Sequence, residues 1–255
     1  MIIEYQRPET VSEALKLLGR EQPVSFALGG GTYLNRNLDG QYAVVDLQNL
    51  GLGDIKITGN LAQVGATSKL QELLDFEGLP EDLYTSIRLE ATYNLRQMAS
   101  TAGSLVTANG RSPLATVLLA MDASVEIQEL DIAPKQVKLG DWLPVRAQAT
   151  RGKLITKVIF PINLKLAFEY VARSPADQPI VCAATVQWNS GRTRLTLGGW
   201  GETPVLAMDG PEPGGIEVAA YSAYSHAEDD WASAEYRQEI AGVLAMRCLK
   251  RINPG

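Results

Sequence analysis

"ALGGGTYLN", residues 27–35, sets three glycines in a row directly behind the apolar stretch "PVSFAL" at 23–28. Two readings are open. In one, a strand simply ends in a tight turn. In the other, consecutive glycines free φ, remove Cβ atoms and expose backbone N–H groups as a nest for an anion. "LNRNL" at 34–38 then reads as a short helix whose N-terminus adds further donors. The spacing is neither G-x-G-x-x-G nor G-x-x-x-x-G-K-[ST], so neither of those phosphate-binding mechanisms is supported. Gly29, Gly30, Gly31 and Thr32 form the first candidate binding group.

Around this stretch the chain reads as a small α/β unit. "IIEY" is strand-like, and "TVSEALKLLG" is a helix with a capping box at Thr10 and Glu13 and with Leu15, Leu17 and Leu18 inward. "VSFAL" and "YAVVDL" are strands, and "IKITGNLAQVGA" alternates on both sides of Gly59-Asn60 as a hairpin does. "SKLQELLDF" reads as a helix capped by Ser68 with Gln71, and "PEDLYTSIRLEA" as another. From about Leu154 the pattern changes. "LITKVIFPI", "LAFEYVA", "PIVCAATVQW" and "TRLTLGGW" read as strands of an antiparallel sheet. "DWASAEYRQEIAGVLAMRCLKRI" closes the chain as an amphipathic helix, with Tyr236, Ile240, Val243, Leu244 and Cys248 on one face.

A second small-residue stretch, Ser100-Thr101-Ala102-Gly103-Ser104, lies between apolar segments and reads as a loop. By itself it is a close packing corner or a second phosphate contact. Two such loops in one α/β region make a shared diphosphate ligand more credible than either does alone.

Composition narrows the rest. The net charge of −6 argues against a nucleic-acid binder, because neutralising phosphates needs clustered Lys and Arg. No apolar run approaches the roughly 18 to 20 residues of a membrane span. "MIIEYQRPET" lacks the basic start and apolar core of a secretion signal, so the expected compartment is the cytoplasm. Cys182 and Cys248 stand far apart in apolar contexts and read as buried small hydrophobes. His226 is the lone histidine, beside "AEDD", so no metal site and no nucleophile–histidine pair is expected. No side chain stands out as a catalytic acid or base.

In order, "YQRPETVSEALKLL", "ALGGGTYL", "LRQMASTAGSL", "LATVLLAMDASVEI", "FEYVARSPADQPIVCAATVQW", "LTLGGWGETPV" and "DDWASAEYRQEIAGVLAMRCLKR" span nearly the whole chain. This series resembles the FAD-binding medium subunit of the molybdenum hydroxylases, the family of carbon monoxide dehydrogenase and xanthine dehydrogenase. The resemblance implies an α+β fold. A two-part FAD-binding domain of the molybdopterin-dehydrogenase type would cover 1–160, with subdomains about 1–53 and 54–160. A C-terminal domain of the carbon monoxide dehydrogenase flavoprotein type, an antiparallel sheet with helices, would cover 161–255. It further implies that both loops grip the pyrophosphate of FAD: Leu28, Gly29, Gly30, Gly31, Thr32 and Tyr33 from the first, and Ser100, Thr101, Ala102, Gly103 and Ser104 from the second. An iron–sulfur subunit and a molybdopterin-cofactor subunit are the implied partners, the first passing electrons to the flavin. The absence of cysteine clusters agrees with those centres lying on other chains.

The chain also departs from that pattern. Ala102 and Ser104 stand where a Gly and an Asn are usual. Pro113, in "NGRSP", stands where many members have an Asp after a Ser-Pro pair, and Tyr170 where a Lys often appears. An alanine at 102 is tolerated at negative φ and strained at positive φ. Arg111 is either a phosphate contact or a solvated loop residue.

Overall fold

The computed structural model describes residues 1–34, 40–175 and 177–254. The chain begins with β1 (Ile2–Gln6), α1 (Val11–Gly19), β2 (Ser25–Leu28), β3 (Tyr42–Asp46), β4 (Ile55–Thr58) and β5 (Leu61–Gly65). Helices follow: α2 (Leu70–Asp75), α3 (Glu81–Glu90), α4 (Tyr93–Arg96), α5 (Thr101–Val106) and α6 (Pro113–Ala120). Next come β6 (Ser124–Glu129), β7 (Ile132–Lys138), α7 (Leu139–Trp142), α8 (Arg146–Ala149) and β8 (Leu154–Pro161). The chain ends with β9 (Lys165–Val171), β10 (Val181–Gln187), β11 (Thr193–Gly198), β12 (Val205–Gly210), α9 (Ile216–Ala223) and α10 (Ala234–Ile252). Helix and sheet are mixed without regular alternation, which is the expected α+β class. Among the described residues no helix is long and apolar enough to cross a membrane.

Two units are interleaved in sequence. The first is Met1–Phe76, Tyr93–Thr107 and Ser124–Ile159; the second is Glu77–Thr92, Ala108–Ala123 and Phe160–Gly255.

The first unit holds two sheets. In one, β3 lies between β1 and β2 and is parallel to both. All five residues of β3 are buried, as suits the middle strand of the sheet, whereas β1 and β2 on either side are largely exposed. Its crossover helix, α1, starts at the expected box: Glu13 N–H donates to Thr10 Oγ1 at 3.2 Å and Thr10 N–H to Glu13 Oε2 at 3.3 Å. Ala14, Leu15 and Leu18 of α1 pack with Val45, Leu47 and Leu154, while Leu17 is only half-buried. Each buried leucine contributes about 1.5–3 kcal/mol relative to exposure.

The other sheet has the order β4-β5-β8-β6-β7. β4 and β5 form the expected hairpin, with Gly59 at φ +58 in its turn. β8 belongs here, antiparallel to β6, and not to the C-terminal sheet with which its sequence was grouped. A strand pattern states which face is apolar but not which strand will pair with it. α2 also starts one residue later than expected. Ser68 is fully buried and donates to Gly53 O at 2.8 Å, so it is not free to cap. The Glu72 carboxylate instead accepts the Lys69 N–H at 2.8 Å.

The second unit is built on the antiparallel sheet β12-β11-β10-β9. Ala183, Leu195 and Leu197 of the sheet pack with Ala220 of α9 and with Ala241, Leu244, Ala245 and Cys248 of α10. The buried face of α10 is therefore rotated from the expected one. Tyr236 and Val243 are exposed, and Arg237 is fully buried. Arg237 donates to Ile180 O, Ala227 O and Ala232 O and pairs with Asp229 at 2.7 Å. Those partners offset the desolvation of the guanidinium, and its position beside small alanines lets the helix lie close to the sheet.

Candidate functional site

The site grows from the end of β2. Leu28 is in register with Asp46, and its carbonyl accepts the Leu47 N–H at 3.1 Å, so the strand is held up to the first glycine. Asp46 is buried, and its charge is engaged by Arg7 at 3.7 Å, the Gln48 N–H at 3.0 Å and the Tyr5 hydroxyl. The Tyr5 hydroxyl is correspondingly raised above the ordinary tyrosine pKa, chiefly by its hydrogen bond to the Asp46 carboxylate. An acidic group at the end of β3 is thus paired.

From there the chain passes over the segment leading into α5. A Cβ on Gly30 would fall inside the Met98 carbonyl oxygen, and one on Gly29 would lie 2.5 Å from Ser100 Oγ. Gly30 is therefore required by the close approach of backbone, and Gly29 is favoured by that of the Ser100 hydroxyl. Gly31 follows at φ +71, a left-handed conformation that favours glycine, and Thr32, Tyr33 and Leu34 form a turn. Tyr33 is exposed. Among the described residues, the N–H groups of Gly30, Gly31 and Thr32 meet no acceptor. The short helix expected after the loop falls on 34–38, of which 35–38 lie outside the described residues.

The second stretch is not a loop but the start of a helix. Ser100 is the N-cap of α5, its Oγ accepting the Gly103 N–H at 3.3 Å. A Ser-Thr-Ala-Gly-Ser run resembles a loop in composition, because its residues favour turns as readily as helix caps. Thr101 N–H donates to Ser68 O at 2.8 Å, Ala102 N–H to Ala66 O at 3.2 Å and Ser104 N–H to Ser100 O at 2.9 Å. The first backbone donors of this helix are thus already engaged. Thr101 and Ala102 are buried, while Gly103 and Ser104 are half-buried. Ala102 lies within the helix and outside the left-handed region, so the alanine here is unstrained. The Ser104 hydroxyl already donates to Ser100 O at 3.0 Å, so among the described residues the second stretch offers the hydroxyl and the N–H of Ser100.

One residue that the sequence reading passed over joins the two stretches. Lys69, just before α2, forms a β-bridge with Ser100, and its ammonium donates to Gly29 O at 3.2 Å. Free amides, the Ser100 hydroxyl and an ammonium are a donor set that suits a diphosphate, so the residues present fit the pyrophosphate of FAD.

The remaining singled-out residues lie in the second unit and form tethers. Arg111 donates to Pro179 O at 3.0 Å and Gln178 O at 2.8 Å and lies 4.2 Å over the Trp231 ring. Ser112 caps α6 with Pro113 in its first turn, and the Glu90 carboxylate accepts from the Ser112 hydroxyl and the Leu114 N–H. Burial raises the Glu90 pKa above the usual carboxylate value. Tyr170 stacks on Phe168 at 5.8 Å. Both cysteines are free and buried, and burial pushes each thiol up to about 12.

Residues 1–163 match the family described as the FAD binding domain in molybdopterin dehydrogenase. The chain is 27% identical over 252 residues to YgfM, an uncharacterized protein of Escherichia coli, covering 96% of this chain and 94% of that protein. It is 24% identical over 279 residues to the carbon monoxide dehydrogenase medium chain of Afipia carboxidovorans, covering 97% and 96%. Its backbone superposes on a chain of the reconstituted CO dehydrogenase of Oligotropha carboxidovorans with a TM-score of 0.82 at 21% identity, over 98% and 96% of the two chains. At that identity the structural likeness is one of fold, and the family match carries the assignment. The chain belongs to the FAD-binding-domain family of the molybdopterin dehydrogenases, a family of oxidoreductase subunits.

Proposed function

We propose that the chain is the electron-transfer flavoprotein subunit of a multi-subunit molybdenum hydroxylase. It would take electrons from an iron–sulfur subunit and pass them through FAD to an external acceptor, while a molybdopterin-cofactor subunit oxidises the substrate. The observation that carries this reading is the meeting of the two loops, with Gly30 lying against the Met98 carbonyl beside unengaged amides. With two cysteines in all, both buried, the chain lacks the four thiolates of an ordinary iron–sulfur cluster. Its electrons would therefore come from another chain.

In this reading Gly30, Gly31 and Thr32 would donate N–H groups to the diphosphate, Ser100 would supply a hydroxyl, and Leu28, Gly29, Tyr33, Thr101, Ala102, Gly103 and Ser104, whose hydroxyl is held by Ser100 O, would shape the cradle. Bound FAD supplies the redox chemistry, and the protein supplies position and electrostatics.

Titrating the purified full chain with FAD, followed by visible absorption and flavin fluorescence, tests the cofactor. Saturable uptake below about 10 µM is expected. A chain that stays colourless at tens of micromolar FAD would be an assembly subunit with a lost flavin site. Co-purification with a cysteine-rich chain and a large molybdopterin-type chain tests the partners.

A further inference from the structure

Lys69 belongs to neither glycine-rich stretch, yet it is bonded to both. Its backbone bridges Ser100 and its ammonium reaches Gly29 O, forty residues away in sequence. That carbonyl takes one of the three ammonium protons. The side chain is half-buried, and among the described residues no carboxylate forms an ion pair with it. An ammonium fixed at this point by one carbonyl keeps two protons for an anionic acceptor. The neighbouring donors, the amides of Gly30, Gly31 and Thr32, are equally without acceptors. Asp46, whose charge would oppose an anion near this strand end, is already engaged by Arg7 and Tyr5.

We infer that Lys69 is the cationic contact for the FAD diphosphate, holding the first loop against the second through Gly29 while its remaining protons face the phosphate oxygens. This rests on the FAD reading above and adds a residue outside both loops. A chain of net charge −6 repels a diphosphate at long range, so a built-in ammonium matters more here than on a basic protein.

The test compares the full-length wild type with Lys69→Met, which keeps the aliphatic stem, and Lys69→Arg, which keeps the charge. FAD affinity is read by flavin fluorescence at several NaCl concentrations, with a thermal melt of each apoprotein. For Lys69→Met we expect about tenfold or weaker binding and a flatter salt dependence, with Lys69→Arg within about threefold of wild type. Equal affinity in Lys69→Met and wild type would overturn the inference. So would a loss of affinity with unchanged salt dependence, since that is the signature of a purely structural tether. Failure of the wild type itself to bind FAD overturns the cofactor reading instead, and the two failures are distinguishable. If Lys69→Met does not fold, Lys69→Gln and the Lys69→Arg salt profile carry the same comparison.

Discussion

The two stretches that meet at the candidate site are alike in composition and opposite in construction. At Gly29 and Gly30 the missing Cβ atoms make room for Ser100 and the Met98 carbonyl, and the following amides are left without acceptors. At Thr101–Ser104 the backbone donors are engaged by Ser68, Ala66 and Ser100, and the segment is helical. Small residues therefore serve the first stretch by allowing close approach and the second by capping and packing a helix. The difference explains why an alanine is acceptable at 102, whereas no side chain fits at 30.

The largest effect is expected at Gly30. In Gly30→Ala the new methyl meets backbone, the Met98 carbonyl, which cannot move aside as a side chain can. The loops must separate, at a cost of about 3 kcal/mol, with loss of FAD uptake. Thermal melting and flavin content of the purified variant measure both; a variant with wild-type melting and flavin content would show that the loops do not meet as described. A smaller effect is expected at Gly29, where the clash is with the movable Ser100 hydroxyl. Gly29→Ala turns that hydroxyl away from the Gly103 N–H and costs about 1 kcal/mol, the value of a helix cap. Ser100→Ala should then be nearly free in the Gly29→Ala background. A melting double-mutant cycle reads the coupling, and strictly additive losses would contradict the contact.

What was legible in the sequence was what is local. The Thr10–Glu13 box spans one turn, and the Gly59 hairpin needs only its own φ, so both are written in adjacent residues. The pairing of the two small-residue stretches was suggested by composition and by the order of family motifs. What was not legible depends on partners distant in sequence. β8 chose β6, Arg237 rather than Tyr236 turned inward because carbonyls of the 227–232 segment await it, and Lys69 gained its place only when β2 came alongside. Ser100 was read as a loop residue because a cap and a turn use the same side-chain chemistry.

The smallest expected effect is the sharpest probe of the comparison. Ala102→Gly restores the residue usual in the family at a position that is helical, buried and outside the left-handed region. Glycine gains nothing there from its conformational freedom, and it loses helix propensity and a packed methyl. The variant should be destabilised by about 1 kcal/mol, with FAD affinity within about twofold of wild type. Melting and fluorescence titration decide it. A tenfold tighter FAD complex in Ala102→Gly would mean that the second stretch must unwind and release its amides to hold the cofactor. The contrast between an open first loop and a closed second one would then describe only the unliganded chain.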